Sequence, residues 1–419
     1  MKLIKTTLFS GIITFIRIGS GFVASKVVAI YTGPGGVALI GAFSNFITIV
    51  LTFANGAINT GVVKYTAEYD NNEDQLKSLF STSFKISLYC SSFVGLILLF
   101  FASFFSDWIF ATHLYCNPIR VLGMTIILYS LNSLMISILN GKKQIKDYTI
   151  VNTVGSIIGL LFTLILVYFF KLEGALYALV LSQSIIFFVT FFFVTKSDWF
   201  SIDYFKQNID KEILKKLSHY SLMTIISAVL VPITQIVLRN MLITTNGLQS
   251  AGIWQGMMRI SDGYLMILST ALTTYYLPKL ASLHTDKELK AEILQGYKLI
   301  LPFVLFSSCV IYFSRFFIIS LLYTPDFLEM SDLFFYQLLG DFFKMASWIL
   351  AFLMLAKSMT KIYIITEILF SCLYVFSGYV CVKVFGVKGI SIAFAINYFI
   401  YMVMMLTIFR KLLFTRNKN

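Results

Sequence analysis

Charged and polar side chains recur at helical spacing inside otherwise apolar stretches of this sequence. In "GIWQGMMRISDGYL" (252–265) Arg259 and Asp262 lie one turn apart, shortly after Trp254. In "QLLGDFFKMASW" (337–348) Gln337, Asp341, Lys344 and Trp348 follow at steps of 4, 3 and 4, which places them on one helix face. Ser44, Thr48, Thr52, Asn55 and Asn59 form a similar stripe, while Arg17, Lys26, Arg239 and Glu367 sit within other apolar runs. Guanidinium groups of this kind bind phosphate through planar paired N–H donors. Carboxylates can take a proton or a cation, although the basic neighbours of Asp262 and Asp341 favour their ionised form. A charge at a bilayer centre costs roughly 2.5–3.5 kcal/mol on insertion scales, so each of these groups must face protein or water.

Other chemistries lack their residues. His113, His219 and His284 are far apart, and the five cysteines are scattered and odd in number, so neither a metal centre nor a disulfide framework is expected. No GxxxxGK[ST] loop occurs, and no resident cofactor is expected. Energy would come from a proton or sodium gradient, the membrane potential, or consumption of the product. Arg259–Asp262 and Asp341–Lys344 could be intrahelical ion pairs that neutralise one another. Arg17 and Arg239 have no acid three or four residues away. Lys26 faces either a cavity or, by snorkelling, the headgroups. Arg17 and Lys26 share one face only if the helix bends, and "RIGSG" (17–21) offers a place. Trp254 lines the site or simply packs. The surplus of unpaired charge is cationic, which suits an anionic cargo. Asp262, Asp341 and Glu367 are the candidates for ion coupling.

The elements that must hold these groups are membrane helices. Of 419 residues, 58% are hydrophobic and only 13% charged, with mean hydropathy +0.83. Soluble domains carry about twice that charged fraction. Apolar runs long enough to span about 30 Å of hydrocarbon predict helices near 8–31, 36–63, 79–105, 118–140, 148–170, 174–195, 218–245, 249–278, 299–323, 332–356, 361–385 and 388–413. The alternation of a β-barrel is missing. The net charge of +13 reflects topology rather than nucleic acid. With the N-terminus inside, twenty-two Lys and Arg fall in inner segments, against Lys171, Lys383 and Lys388 outside. Both termini are therefore expected in the cytoplasm, and the basic, apolar N-terminus reads as a retained first helix. The fold class is an all-α polytopic membrane protein with 1–195 as a first six-helix bundle, 196–217 as a cytoplasmic linker and 218–419 as a second bundle. A shift of 215 residues carries Lys64 onto Lys279 and Gly41 onto Gly256. Parallel repeats of this sort predict bundles related by a pseudo-two-fold along the membrane normal, with a central cavity between them.

"GIWQG" (252–256), "ISDGYL" (260–265), "YLPKL" (276–280), "GDFFK" (340–344), "YTGPGGVAL" (31–39) and "GVVKY" (61–65) resemble the Wzx flippases of lipid-linked O-antigen units. That family belongs to a superfamily with the MATE drug exporters and the peptidoglycan-precursor flippase MurJ. The resemblance covers the chain in order. It implies two six-helix bundles in a bacterial inner membrane, and movement of an undecaprenyl-diphosphate oligosaccharide from the cytoplasmic to the periplasmic leaflet by alternating access. It also implies that Arg17, Lys26 and Arg239 line the cavity and that Asp262, Asp341, Lys344 and Glu367 stand where such flippases carry charge; together with Arg259 and Trp254 from the residue pattern, Arg17, Lys26, Arg239 and Lys344 are the expected contacts of the cargo. Membrane lipids, and a polysaccharide polymerase and chain-length regulator of the same pathway, are the expected partners. The family's basic residue in the second helix is missing around Ser44–Asn45, and Arg259 is the expected substitute. Alternatives are a flippase for the enterobacterial common antigen unit or an ion-coupled drug exporter of MATE type. A polymerase or ligase would need a large outer loop, and the longest outer segment, 105–118, is short.

Overall fold

The computed structural model describes residues 2–70, 72–197, 199–283, 285–357 and 359–414, which are helical almost throughout. The helices are α1 (Lys2–Ala54), α2 (Asn59–Glu68), α3 (Glu73–Phe100), α4 (Ala102–Phe110), α5 (Cys116–Gly141), α6 (Ile145–Thr195), α7 (Lys211–Asn246), α8 (Leu248–Ala271), α9 (Leu277–Ser282), α10 (Asp286–Phe313), α11 (Arg315–Leu322), α12 (Phe334–Ala356), α13 (Thr360–Phe385), α14 (Lys388–Ile408) and α15 (Arg410–Phe414). Among the described residues nine helices are long and apolar enough to cross a membrane. Two of these, α1 and α6, are each interrupted by one non-helical residue, Gly33 and Lys171, and so supply two spans apiece. With α8, which its polar residues make less apolar, the spans number twelve.

The internal repeat is clearest where helices break. Gly33 (φ 62°, ψ −172°) and Gly247 (φ 89°, ψ 165°) are 247 − 33 = 214 residues apart and share a conformation open essentially to glycine alone. Lys171 (φ 50°, ψ −123°) and Gly386 (φ 60°, ψ −144°) are 215 apart. Asn72 caps α3 and Thr285 caps α10, a separation of 213, and α3 and α10 end before the breaks at Phe101 and Ser314, again 213 apart. The expected bend at "RIGSG" is not where α1 breaks. Glycines inside a helix keep helical angles unless the chain must turn, and the turn comes at Gly33-Pro34.

Two compact units emerge. The first holds residues 1–32 and 39–233, the second 33–38 and 234–419. In the first, α5 packs between α3 and α6. Its core joins Phe43, Phe46, Leu98, Ile119, Leu122 and Leu176. The segment 196–210 is fastened to this unit. Gln144 Oε1 accepts from Trp199 Nε1 (3.0 Å) and Ser197 Oγ (3.2 Å), Ser78 Oγ donates to Asp210 Oδ2 (2.9 Å), and the Asp210 N–H donates to Thr82 Oγ1 (3.0 Å). α7 begins at Lys211, within the expected linker, and passes from one unit to the other beside Pro232. In the second unit α12 packs against α10 and α14, with α13 on α14 and α8 on α12.

Candidate functional site

The second unit assembles most of the polar residues singled out from the sequence. α8 is set in place by two close approaches. A Cβ built on Gly252 would lie 1.8 Å from the Pro34 carbonyl oxygen, so only glycine lets the "GPGG" corner seat there. One turn on, the Tyr323 hydroxyl donates to the Gly256 carbonyl (3.1 Å), and Phe327 and Met330 press on the same glycine. Two motifs distant in sequence thus meet as one packed corner.

With α8 so held, its next turns reach α12. Asp341 is fully buried and accepts from Ser261 Oγ (2.6 and 2.7 Å to its two oxygens) and from Tyr264 Oη (2.9 Å). Hydrogen bonds of this kind are what permit a carboxyl group in an apolar interior. Lys344 lies one turn along α12, and its Nζ is 4.0 Å from Asp262 Oδ1. Its side chain is 10% exposed while that of Asp262 is 59% exposed. One acid and one base, Asp262 and Lys344, are therefore paired between α8 and α12. Among the described residues no ion pair joins Arg259 to Asp262 or Asp341 to Lys344. Gln337, also fully buried, accepts from Ser391 Oγ at 3.3 Å.

Arg239 is fully buried in α7, and its Nη2 donates to Gln255 Oε1 at 2.6 Å. Its Nε and Nη1 have no partner among the described residues. Both residues stand eight positions from Gly247, at equal depth about 12 Å along their helices. Trp254 is 1% exposed, and its indole N–H is likewise unpartnered among the described residues. It packs, which is the plainer of its two expected roles. Glu367 is half-buried within electrostatic reach of Tyr398 and Tyr401.

Arg17 and Arg259 differ from all of these. Each is exposed, Arg259 near the middle of α8 and Arg17 near the middle of the part of α1 before Gly33, and neither has a hydrogen bond or ion pair among the described residues. Arg17 lies within electrostatic reach of Tyr129 in its own unit, and Arg259 of Tyr323. A guanidinium left in lipid at that depth is costly, so these exposed faces border a watered space. Lys26 is half-buried. In the polar stripe of the first unit, Thr48 and Thr52 bond back to the carbonyls of Ser44 and Thr48. Asn55 and Asn59 instead tie to Ser130 and Ser133 of α5. The lower part of that stripe joins helices.

Ser261, Tyr264 and Gln255 are the site residues that sequence reasoning missed. Ser261 and Tyr264 are three apart in "SDGY", a visible helical step, but nothing in α8 alone indicates that a carboxylate from eighty residues on will meet them.

A family model described as "Polysaccharide biosynthesis protein" matches residues 39–332. The Lipid III flippase of Escherichia coli (strain K12) is 29% identical over 402 residues, 96% of either chain, and that of Shigella flexneri is equally similar. Among solved structures, an inward-facing multidrug resistance MATE family transporter of the MOP superfamily matches with TM-score 0.81 at 16% identity, over 95% of this chain and 97% of its own. A MOP superfamily transporter from Pyrococcus furiosus matches with TM-score 0.71 at 16% identity, over 95% and 94%. At such identities the likeness concerns the fold, which is that of a multi-pass, MATE-like helical membrane protein.

Proposed function

Because this chain belongs to the polysaccharide biosynthesis protein family, we propose that it is a flippase, a transporter and not an enzyme, for undecaprenyl-diphosphate-linked O-antigen oligosaccharide units. The observation that carries this reading is the sign of the exposed mid-span charge. Arg17 and Arg259 stand exposed without acidic partners among the described residues, Asp341 is sealed by hydroxyls, and Asp262 is neutralised by Lys344. In each unit the exposed charge left without an acidic partner is therefore cationic, which suits a diphosphate. A cation exporter would present the reverse. The similarity to lipid III flippases supports a lipid-linked cargo.

In this reading Arg17 in the first unit and Arg259 in the second are each a candidate contact for a diphosphate that enters from the cytoplasmic leaflet, while the polyprenyl tail stays in lipid. The guanidinium donors replace the water that the diphosphate loses. Lys26 and Arg239 are secondary contacts, and Arg239 must first be uncovered, since here it is closed over by its own unit. Release to the periplasmic leaflet follows by alternating access, and a polymerase with its chain-length regulator consumes the product. Asp341 is the acid best placed to carry a coupling proton or sodium ion, because movement of α8 against α12 would remove its hydroxyl donors.

The test is surface polysaccharide in a cell lacking its own flippase. Arg17→Glu and Arg259→Glu should each reduce it by more than about tenfold, and Arg→Lys should retain part of it. Full restoration by both glutamate variants would overturn the reading, as would drug resistance on overexpression with no effect on polysaccharide.

A further inference from the structure

The diphosphate reading leaves the partly exposed rings around Lys344 without a task. Lys344 Nζ lies 4.9 Å from the ring centre of Trp348, 5.8 Å from Tyr398 and 5.9 Å from Phe394. Phe394 is buried, but Trp348 and Tyr398 are half-exposed, and Asp262 presents an exposed carboxylate beside them. The Lys344 side chain is 10% exposed, and locally it offsets the charge of Asp262 from 4.0 Å. The result is a patch of zero net charge with an aromatic face and a hydrogen-bond acceptor.

That combination disfavours both a phosphate and a free cation. A phosphate would meet a carboxylate, and a cation would compete with the ammonium already there. An uncharged pyranose ring fits. Its C–H face is apolar enough to lie on an aromatic ring, and its hydroxyls donate to a carboxylate. The position fits as well, since Asp262 follows Arg259 by three residues, a rise of about 4.5 Å along α8, and both are exposed. A sugar joined directly to a diphosphate has its two parts similarly adjacent.

We propose that Trp348, Tyr398 and Asp262 form a glycan subsite that holds a pyranose ring of the cargo, with Lys344 as the positioning residue behind it. The proposal rests on the flippase reading for the nature of the cargo, but on different residues.

The test uses the full chain in detergent and saturation-transfer NMR. The probe is the oligosaccharide freed by mild acid from the lipid-linked precursors of the host, which lacks both diphosphate and tail. Wild-type protein should saturate the ring protons of the sugar. Trp348→Leu should weaken binding about tenfold, whereas Trp348→Phe should stay within about threefold because a ring remains. Asp262→Asn, which keeps an acceptor oxygen, should weaken it about threefold. If Trp348→Leu does not fold, Asp262→Asn together with Tyr398→Leu decides. Wild-type protein that fails to bind the freed sugar, or variants that bind as tightly as wild type, would overturn the subsite. The two readings fail separately. Loss of polysaccharide in the arginine variants with unaltered sugar binding in Trp348→Leu sinks the subsite alone. Weakened sugar binding in Trp348→Leu with full restoration by both arginine variants sinks the diphosphate contact alone.

Discussion

Replacing Lys171 by glycine should stabilise this protein. Lys171 occupies φ 50°, ψ −123°, a region that L-residues rarely enter, whereas its counterpart in the second half, Gly386, occupies φ 60°, ψ −144°. Strained backbone of this kind costs about 1–3 kcal/mol. Glycine also frees the unfolded chain, which takes back about 0.4–1 kcal/mol. The Lys171 side chain is exposed, so no packing is lost. The balance for Lys171→Gly is a gain of about 0.5–2 kcal/mol. The mirror experiment is Gly386→Ala. A Cβ there would meet only Asn246 Nδ2 at 3.5 Å, an ordinary contact, so any loss comes from the backbone. It should destabilise by a similar amount. Thermal unfolding of the purified chain in detergent reads both. A lower midpoint for Lys171→Gly, or an unchanged one for Gly386→Ala, would refute the argument that the two corners share one glycine-favouring geometry.

Gly252→Ala should destabilise by about 2 kcal/mol or more even after the roughly 1 kcal/mol that alanine gains over glycine in a helix, because its Cβ meets the Pro34 carbonyl. Gly256→Ala should cost less, since the atom nearest its Cβ is the flexible Met330 methyl, and Met330→Ala should rescue only the second variant in the same unfolding measurement. Asp341→Ala strips Ser261 and Tyr264 of their shared acceptor and should cost about 2 kcal/mol, while Asp341→Asn keeps one acceptor oxygen and should cost less. At Asp210, donation from Ser78 and from the N–H groups of Ile213 and Glu212 holds the carboxyl below the ordinary aspartate value. Its stabilisation of segment 196–210 is therefore full above that ordinary value, near 3.9, and is lost as pH falls through the lower folded value. Acid proteolysis of that segment should increase in wild type and be nearly independent of pH in Asp210→Asn.

The twelve spans and the presence of buried charge follow from local sequence. Length and apolarity decide membrane crossing, and a helix shows its faces by a period of 3.6 residues. The pairing of the charges did not follow. Asp262 finds Lys344 and Asp341 finds Ser261 and Tyr264 because α8 lies on α12 at one register, and that register is set by Pro34 against Gly252 and Tyr323 against Gly256. Nor was the burial of Arg239, or the exposure of Arg17 and Arg259, readable from hydropathy, which treats every arginine alike. Periodicity ranks the residues of one helix by direction. Which direction holds a partner, lipid or water depends on helices distant in the chain, 80 residues on in the case of Ser261 and Asp341, and only their packing decides it.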